Sequence, residues 1–288
     1  MKKLVSILVL VAMLVLGTSA LASCDKKDTF KVYDTEAFEL TSESYAFAIK
    51  KDNAALLASA DELLAELKGN GELDKILTSF FDGSATFEYE NPVSSIPTGA
   101  NKDNYLIVAT NAYFPPFEYY NGNKLTGVDM KIASLLAAKL NKTLYIADME
   151  FDAIIPSVQT GESDIGMAGM TITEARQEAV NFTAEYYTSA QVLVVKGDDT
   201  VFADCKNAAE IEAKLKAQDK SFVVGTQNGT TGYMYSNGDV DFLYDGFTNL
   251  TTKGYQTGAL AMMDLKNGKV NAVILDKQPA LSITKSIG

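Results

Sequence analysis

GMAGMTITEARQEAVNFTAEYY, residues Gly166 to Tyr187, is the stretch whose reading decides the fold. It reads as a buried strand from Asp164 to Ala168, a turn of small residues, and a helix that begins near Thr173. Gly169, Thr171 and Arg176 then fall where the carboxyl end of a strand meets the amino end of a helix. Backbone N–H groups point outward there, the helix dipole adds partial positive charge, and a guanidinium offers a planar fork to a carboxylate. The stretch therefore reads as an anion site. An ordinary helix accounts for the same letters, with Thr173 as its N-cap and Arg176 exposed in its first turn.

The pattern around this stretch alternates strand and helix. Leu106 to Ala109 is a strand, followed by the loop TNAYFPPFEYYNGN and a helix with Val128, Ile132, Leu135, Leu136 and Leu140 on one face. Leu144 to Ala147 is the next strand, and Phe151 to Pro156 opens a short helix that stops at Gly161. Beyond the opening stretch come a strand from Gln191 to Val195, a helix around Ala208 to Lys216 and a strand from Phe222 to Gly225. A helix from Gly258 to Lys266, stopped by Gly268, and a strand from Asn271 to Leu275 complete the run. Such alternation predicts an α/β fold of parallel or mixed sheets with flanking helices, and a ligand at the strands' carboxyl ends.

Residues 1 to 23 read differently. Lys2 and Lys3, the apolar run from Leu4 to Leu16 and the sequence Leu21-Ala22-Ser23-Cys24 match a bacterial lipoprotein signal peptide. Cys24 is then the lipidated residue, and the lipid is the membrane anchor on the outer face of the cell membrane. The apolar run is short for a membrane span of about 20 residues. Removing Lys2 and Lys3 moves the formal charge from -12 to -14, which argues against nucleic acid and against electrostatic binding to anionic lipid. With Cys24 modified, Cys205 is the one thiol left, so an intramolecular disulfide is excluded. The absence of histidine removes His-dependent triads and His-ligated zinc. No cofactor is implied.

The runs GMTITEAR and VNFTAEYY resemble the amino-acid-binding proteins of ABC importers, the family with the two-lobed type 2 periplasmic-binding-protein fold. The resemblance implies that Arg176 grips the α-carboxylate of a free amino acid, with Thr171 and Gly169 beside it. GTQNGTTGYMY resembles the family's second anion turn and places Thr230 and Thr231 on the carboxylate from the other lobe. GKVNAVILDKQPA resembles the run whose final Asp pairs with the α-ammonium, here Asp276. Phe114 and Phe151 match the pair that covers the ligand's side chain, while Phe117 packs beneath. Asn111 stands where members that bind cationic amino acids carry Asp, which favours a polar or neutral ligand. Each assignment has a plain counterpart: Gly-Thr-Thr and Asp276 also read as helix caps, and the phenylalanines as core.

Residues 28 to 83 carry short strands at Phe30 to Tyr33 and Tyr45 to Ile49, then two helices. Their run SYAFAIKKDNAALLASADELLAELKGNGELDKILTSFF is similar to the family's carboxyl-terminal end, although here it comes first. The chain also stops at Gly288, after one helical segment beyond Asp276. These features imply a circular permutation, with the family's ends joined through Asp82 to Asn104. The first lobe is then residues 46–190, including the helices of 53–82 and the linker 83–104. The second lobe is 28–45 with 191–288, and the hinge strands are Tyr45 to Ile49 and Gln191 to Val195, expected to run side by side. A truncated protein with an unrelated amino-terminal domain is the rival. The resemblance further implies an ABC permease and its ATPase as partners. Other readings are a partner-bound sensor, a structural lipoprotein and an enzyme of the cyclohexadienyl dehydratase type, with Glu118 and Glu150 as acid or base by proximity.

Overall fold

The nearly continuous apolar run Tyr105–Thr110 becomes a strand with five of its six residues buried. A strand of that composition needs cover on both faces, and it lies inside a five-stranded sheet. The computed structural model describes residues 29–86, 95–241 and 243–288. The signal sequence and Cys24 lie outside the described residues, as does part of the expected linker, 87–94.

In the first sheet, Tyr105–Thr110 pairs in parallel with Thr143–Asp148 on one side and Ile165–Gly166 on the other. Ala48–Ile49 and then Asn181–Phe182 extend it antiparallel. The second sheet repeats this plan. Val223–Gln227 pairs in parallel with Thr251–Tyr255 and Ala272–Asp276, and Gln191–Lys196 and then Phe30–Val32 follow antiparallel. Two bodies of the same mixed α/β design result, as the alternation predicts.

Each body has its own core. The helices Ala54–Gly69 and Glu72–Asp82 send Leu56, Leu63, Leu64, Leu67, Leu73, Ile76 and Phe80 into one apolar cluster with Leu106, Ile132 and Leu136 of the first body. Each such side chain contributes about 1.5–3 kcal/mol on burial. Asn53 starts the first of these helices by accepting the N–H of Leu56 at 3.2 Å. In the second body, the helix Lys277–Ile287 lies against Phe30, Ile283 and Ile287 sharing a cluster with it.

The bodies are linked by two crossings that run side by side. Glu43–Tyr45 pairs antiparallel with Tyr187–Ser189, with Tyr187 opposite Tyr45. The expected neighbour relation is therefore corrected: Gln191–Lys196 runs beside Phe30–Val32 and Ala272–Asp276, and not beside Tyr45 to Ile49. The reason is a break in that run. Ala46 and Phe47 separate two short strands, the first in the crossing pair and the second in the first sheet.

A three-stranded hairpin unit, Tyr113–Phe114, Glu118–Asn121 and Lys124–Thr126, packs against the helix Val128–Lys139. Gly127 joins it to the helix Val128–Lys139 with φ +127°, and a Cβ there would stand 2.0 Å from the carbonyl oxygen of Phe117. Only glycine admits that approach. The junction fixes Asp129 in the first turn of that helix.

Candidate functional site

Eight of the nine residues expected at a ligand site line one small, nearly filled space between the bodies: Phe114, Phe151, Gly169, Thr171, Arg176, Thr230, Thr231 and Asp276. The first five belong to the body of the first sheet and the last three to that of the second. A larger open groove lies along Phe81, Tyr113, Tyr120, Ala259 and Ile283, and its one charged lining residue is the exposed Lys285. The smaller space, by contrast, is lined by the buried charged residues Arg176 and Asp276.

Arg176 sits in the helix Glu174–Ala179, whose start Thr173 caps by accepting the Arg176 N–H at 3.2 Å. The capping reading thus describes the backbone, but the side chain is 5% exposed. Its Nη1 donates to the carbonyl of Thr171 at 2.7 Å, and its Nη2 to the carbonyl of Gly229, in the other body, at 3.0 Å. The guanidinium carbon lies 5.4 Å from the centre of the Phe151 ring. Burial pulls its pKa down to about 10 against the pull of Glu43 and Asp276, so it keeps its charge at neutral pH.

Asp276 ends the strand Ala272–Asp276 and occupies the N-cap position of the next helix, yet its side chain makes no capping bond. It accepts the hydroxyl of Tyr45 instead. Burial, then the neighbouring Glu43 carboxyl, push its pKa up to about 7. Thr230, by contrast, is a cap: its hydroxyl accepts the N–H of Tyr233 at 3.4 Å and donates to the carbonyl of Gln227 at 2.8 Å.

Three side chains at this centre escaped the sequence reading. Glu43, 4% exposed, accepts the hydroxyls of Thr171 at 2.7 Å and Thr231 at 2.8 Å on one oxygen, Oε2. Gln191 donates through Nε2 to Thr231 Oγ1 at 3.1 Å, and Tyr45 holds Asp276. A signal existed: Glu43 and Tyr45 are two apart on a strand and so share a face, and Gln191 is the one polar residue heading the apolar run QVLVV.

Gly169 takes a different place from the expected one. Its N–H donates to Asp129 Oδ2 at 2.9 Å, so that group is not available to a ligand carboxylate, and its carbonyl is what it has to offer. Its φ is +52°, and a Cβ would meet the Phe114 ring at 2.7 Å, which sets glycine here by conformation and by space. Phe117 is fully buried behind Phe114 and against Tyr45. Asn111 is not among the lining residues. Its Oδ1 accepts from Gln227 Nε2 across the bodies at 3.0 Å, and its Nδ2 donates to the carbonyl of Met149 at 2.8 Å. Neither suggested acid lines the cavity: Glu118 is sealed behind it and Glu150 is exposed.

Asp129 and Glu118 make a buried carboxyl pair under the site. Asp129 also accepts the Tyr186 hydroxyl at 2.6 Å. Burial raises the Asp129 pKa to about 7, and burial with the Asp129 charge raises Glu118 well above the carboxylate range. The folded chain therefore holds protons that the unfolded chain releases above about pH 4. Stability contributed by the pair declines as pH rises from about 4 to about 7. Asp129→Asn is expected to flatten that part of a plot of melting temperature against pH, and an unchanged slope would show that Asp129 is not the group responsible.

Residues 106–249 match the model of the bacterial extracellular solute-binding proteins, family 3. The chain is 28% identical over 186 residues to ABC transporter arginine-binding protein 1 of Escherichia coli (strain K12), covering 64% of this chain and 68% of that one. Several other curated relatives are likewise matched over about two thirds of their length. Among solved structures it is similar to an ancestral arginine-binding protein bound to arginine, with 33% identity and a TM-score of 0.54 over 64% of this chain and 74% of that one. It is also similar to the ancestral amino acid-binding protein AncCDT-1, a precursor of cyclohexadienyl dehydratase, with 30% identity and a TM-score of 0.55 over 64% of this chain and 75% of that one.

Proposed function

We propose, for a chain that belongs to the bacterial extracellular solute-binding proteins of family 3, that it captures a free amino acid between its two bodies and delivers it to an ABC importer. The observation that carries this is the single cavity that gathers Arg176 from one body and Asp276 from the other, with Phe114 and Phe151 beside them. Arg176 takes the α-carboxylate and Asp276 the α-ammonium. The aromatic pair covers the side chain. A ligand that touches both bodies favours their closed arrangement through contacts found only there. The crossing pair Glu43–Tyr45 and Tyr187–Ser189 is the hinge, and the lobes are 46–190 and 28–45 with 191–288. A permease and its ATPase read the closed form. No chemical step belongs to this proposal.

The test is a thermal-shift screen against the twenty amino acids. A ligand at 100 times its dissociation constant adds about 2.7 kcal/mol of stability. A shift with one or a few of them names the ligand class, whereas no shift with any would move weight to the sensor or dehydratase readings. Loss of amino-acid uptake on gene deletion tests delivery to the importer.

The circular permutation belongs to the same proposal. It is supported by the two sheets, each completed by a strand from residues 29–49, by sequence matches limited to about two thirds of the chain, and by Ile287 packing in the cluster that holds Phe30. A chain rebuilt to start at residue 95, run to Gly288 and continue through a short Gly/Ser linker into residues 29–86 is expected to keep its melting temperature and its ligand. Failure to fold would favour an unrelated amino-terminal domain. Lipidation of Cys24 is supported by the sequence Leu21-Ala22-Ser23-Cys24. Mass spectrometry of the membrane fraction tests it, and an unmodified Cys24 there would end the proposal.

A further inference from the structure

We infer that Glu43 is a positioning residue that makes the cleft select the ammonium end of its ligand: by holding the hydroxyl protons of Thr171 and Thr231, it turns both hydroxyls into acceptors. The inference rests on the amino-acid capture proposed above and deepens it.

A hydroxyl has one proton and two lone pairs. Both protons are committed to Glu43 Oε2, at 2.7 Å from Thr171 and 2.8 Å from Thr231. The carboxylate itself is held in place from other sides. Its Oε1 accepts the hydroxyl of Thr41 at 2.8 Å, and its Oε2 lies 3.4 Å from Gln191 Nε2. A hydroxyl that swung away to serve a second anion would take one donor from a buried carboxylate, a costly exchange. Thr171 and Thr231 are therefore poor donors to a ligand carboxylate, contrary to the role expected from the motif.

What faces the cleft is a set of acceptors: Thr171 Oγ1, the carbonyl of Gly169 and the Asp276 carboxyl. Thr231 Oγ1 already accepts from Gln191 and adds less. Arg176 is the cationic group among the lining residues, so the ligand carboxylate goes to it. An ammonium, with three protons, satisfies the acceptors together. A 2-hydroxy acid brings one proton and leaves buried acceptors unserved, and sites built this way reject such analogues strongly.

The experiment is isothermal titration of the protein with the twenty L-amino acids and with the 2-hydroxy acid counterpart of each one that binds. The wild type is expected to prefer the amino acid by roughly 10⁴-fold. Glu43→Gln keeps the shape but gives the threonine oxygens an amide N–H to accept, which frees their protons. It is expected to narrow the preference by at least about tenfold, mostly through weaker amino-acid binding. Thr171→Val, which keeps Glu43 and removes one acceptor, is expected to narrow it too, and decides the matter if Glu43→Gln does not fold. An unchanged ratio in either folded variant, or equal losses for the amino acid and its hydroxy analogue, would overturn the role of Glu43 alone. Absence of amino-acid binding by the wild type would overturn the capture reading along with it.

Discussion

Replacing Arg176 by alanine is expected to abolish amino-acid binding while leaving a folded chain. The loss in binding is about 2–5 kcal/mol, the range for removing one member of a buried, hydrogen-bonded charge pair. The local helix has no need of the side chain, because Thr173 caps it through the backbone N–H of residue 176 and alanine is the best helix former. Some stability goes all the same. The carbonyls of Thr171 and Gly229 lose their guanidinium donor, at about 1–3 kcal/mol for each that stays buried and unserved. Titration calorimetry beside a melting curve separates the two effects. Unchanged affinity would remove Arg176 from the carboxylate, and loss of cooperative melting would make it a structural strut between the bodies. Arg176→Lys retains the charge without the planar fork and is expected to fall between.

Asp276→Asn is the second large effect, a loss of several kcal/mol in affinity, about 2–5 by the same reasoning. Asparagine keeps the shape and still accepts the Tyr45 hydroxyl, so the structure around the strand end stays. The side chain makes no capping bond, so the following helix does not depend on it. The pH dependence is the sharper signature. With its pKa pushed up to about 7, Asp276 in the wild type holds a proton at pH 6 that an incoming ammonium must displace. Affinity is expected to rise from pH 6 to pH 8 and then level. Stability without ligand moves the other way: the folded state binds a proton that the unfolded state has lost, so it declines as pH climbs from about 4 to about 7. Asp276→Asn is expected to remove the trend in affinity and its own share of the trend in stability, the Asp129–Glu118 pair keeping the rest. A variant whose affinity still climbs with pH would put the titrating group elsewhere.

Much of this was legible in the letters. Ala208–Lys216 and Gly258–Lys266 have the bounds that apolar spacing and a closing Gly268 assign to them. The strands Tyr105–Thr110 and Thr143–Asp148 extend the expected ones by one residue at each end. Gly169, Thr171 and Arg176 of the cavity lining follow from a strand end meeting a helix start, and the other five from motifs that resemble a known family. What was not legible depends on long-range pairing. Tyr45 to Ile49 looks like one strand, and only the partners Tyr187–Ser189 and Asn181–Phe182 split it into two short ones. Glu43 reads as a surface acid in a polar run until two threonines from separate bodies close on it. Gly169 reads as an N–H donor until Asp129, forty positions earlier, takes that proton. Asn111 looks like a selector of side chains until Gln227 engages it. In each case the deciding neighbour is remote in sequence, and periodicity carries no record of it.

The order of strands along the chain also governs the order in which the bodies can be finished during synthesis. Every strand of the first sheet lies between Ala48 and Phe182, whereas the second needs Phe30–Val32 at one extreme and Ala272–Asp276 at the other. The half that holds Arg176 is thus complete in sequence while nearly a hundred residues of the other remain to be translated. At elongation rates of about 5–20 residues per second, that gap lasts several seconds, longer than a domain of this kind needs to fold. Through that interval the nascent chain carries one finished body, flanked by the edge strand Phe30–Val32, whose neighbour Gln191–Lys196 must in turn wait for Ala272–Asp276. Pulse-labelled nascent chains should show protease resistance in the first body well before the second, so that the amino-acid trap is assembled last, when Asp276 arrives to face an arginine already in place.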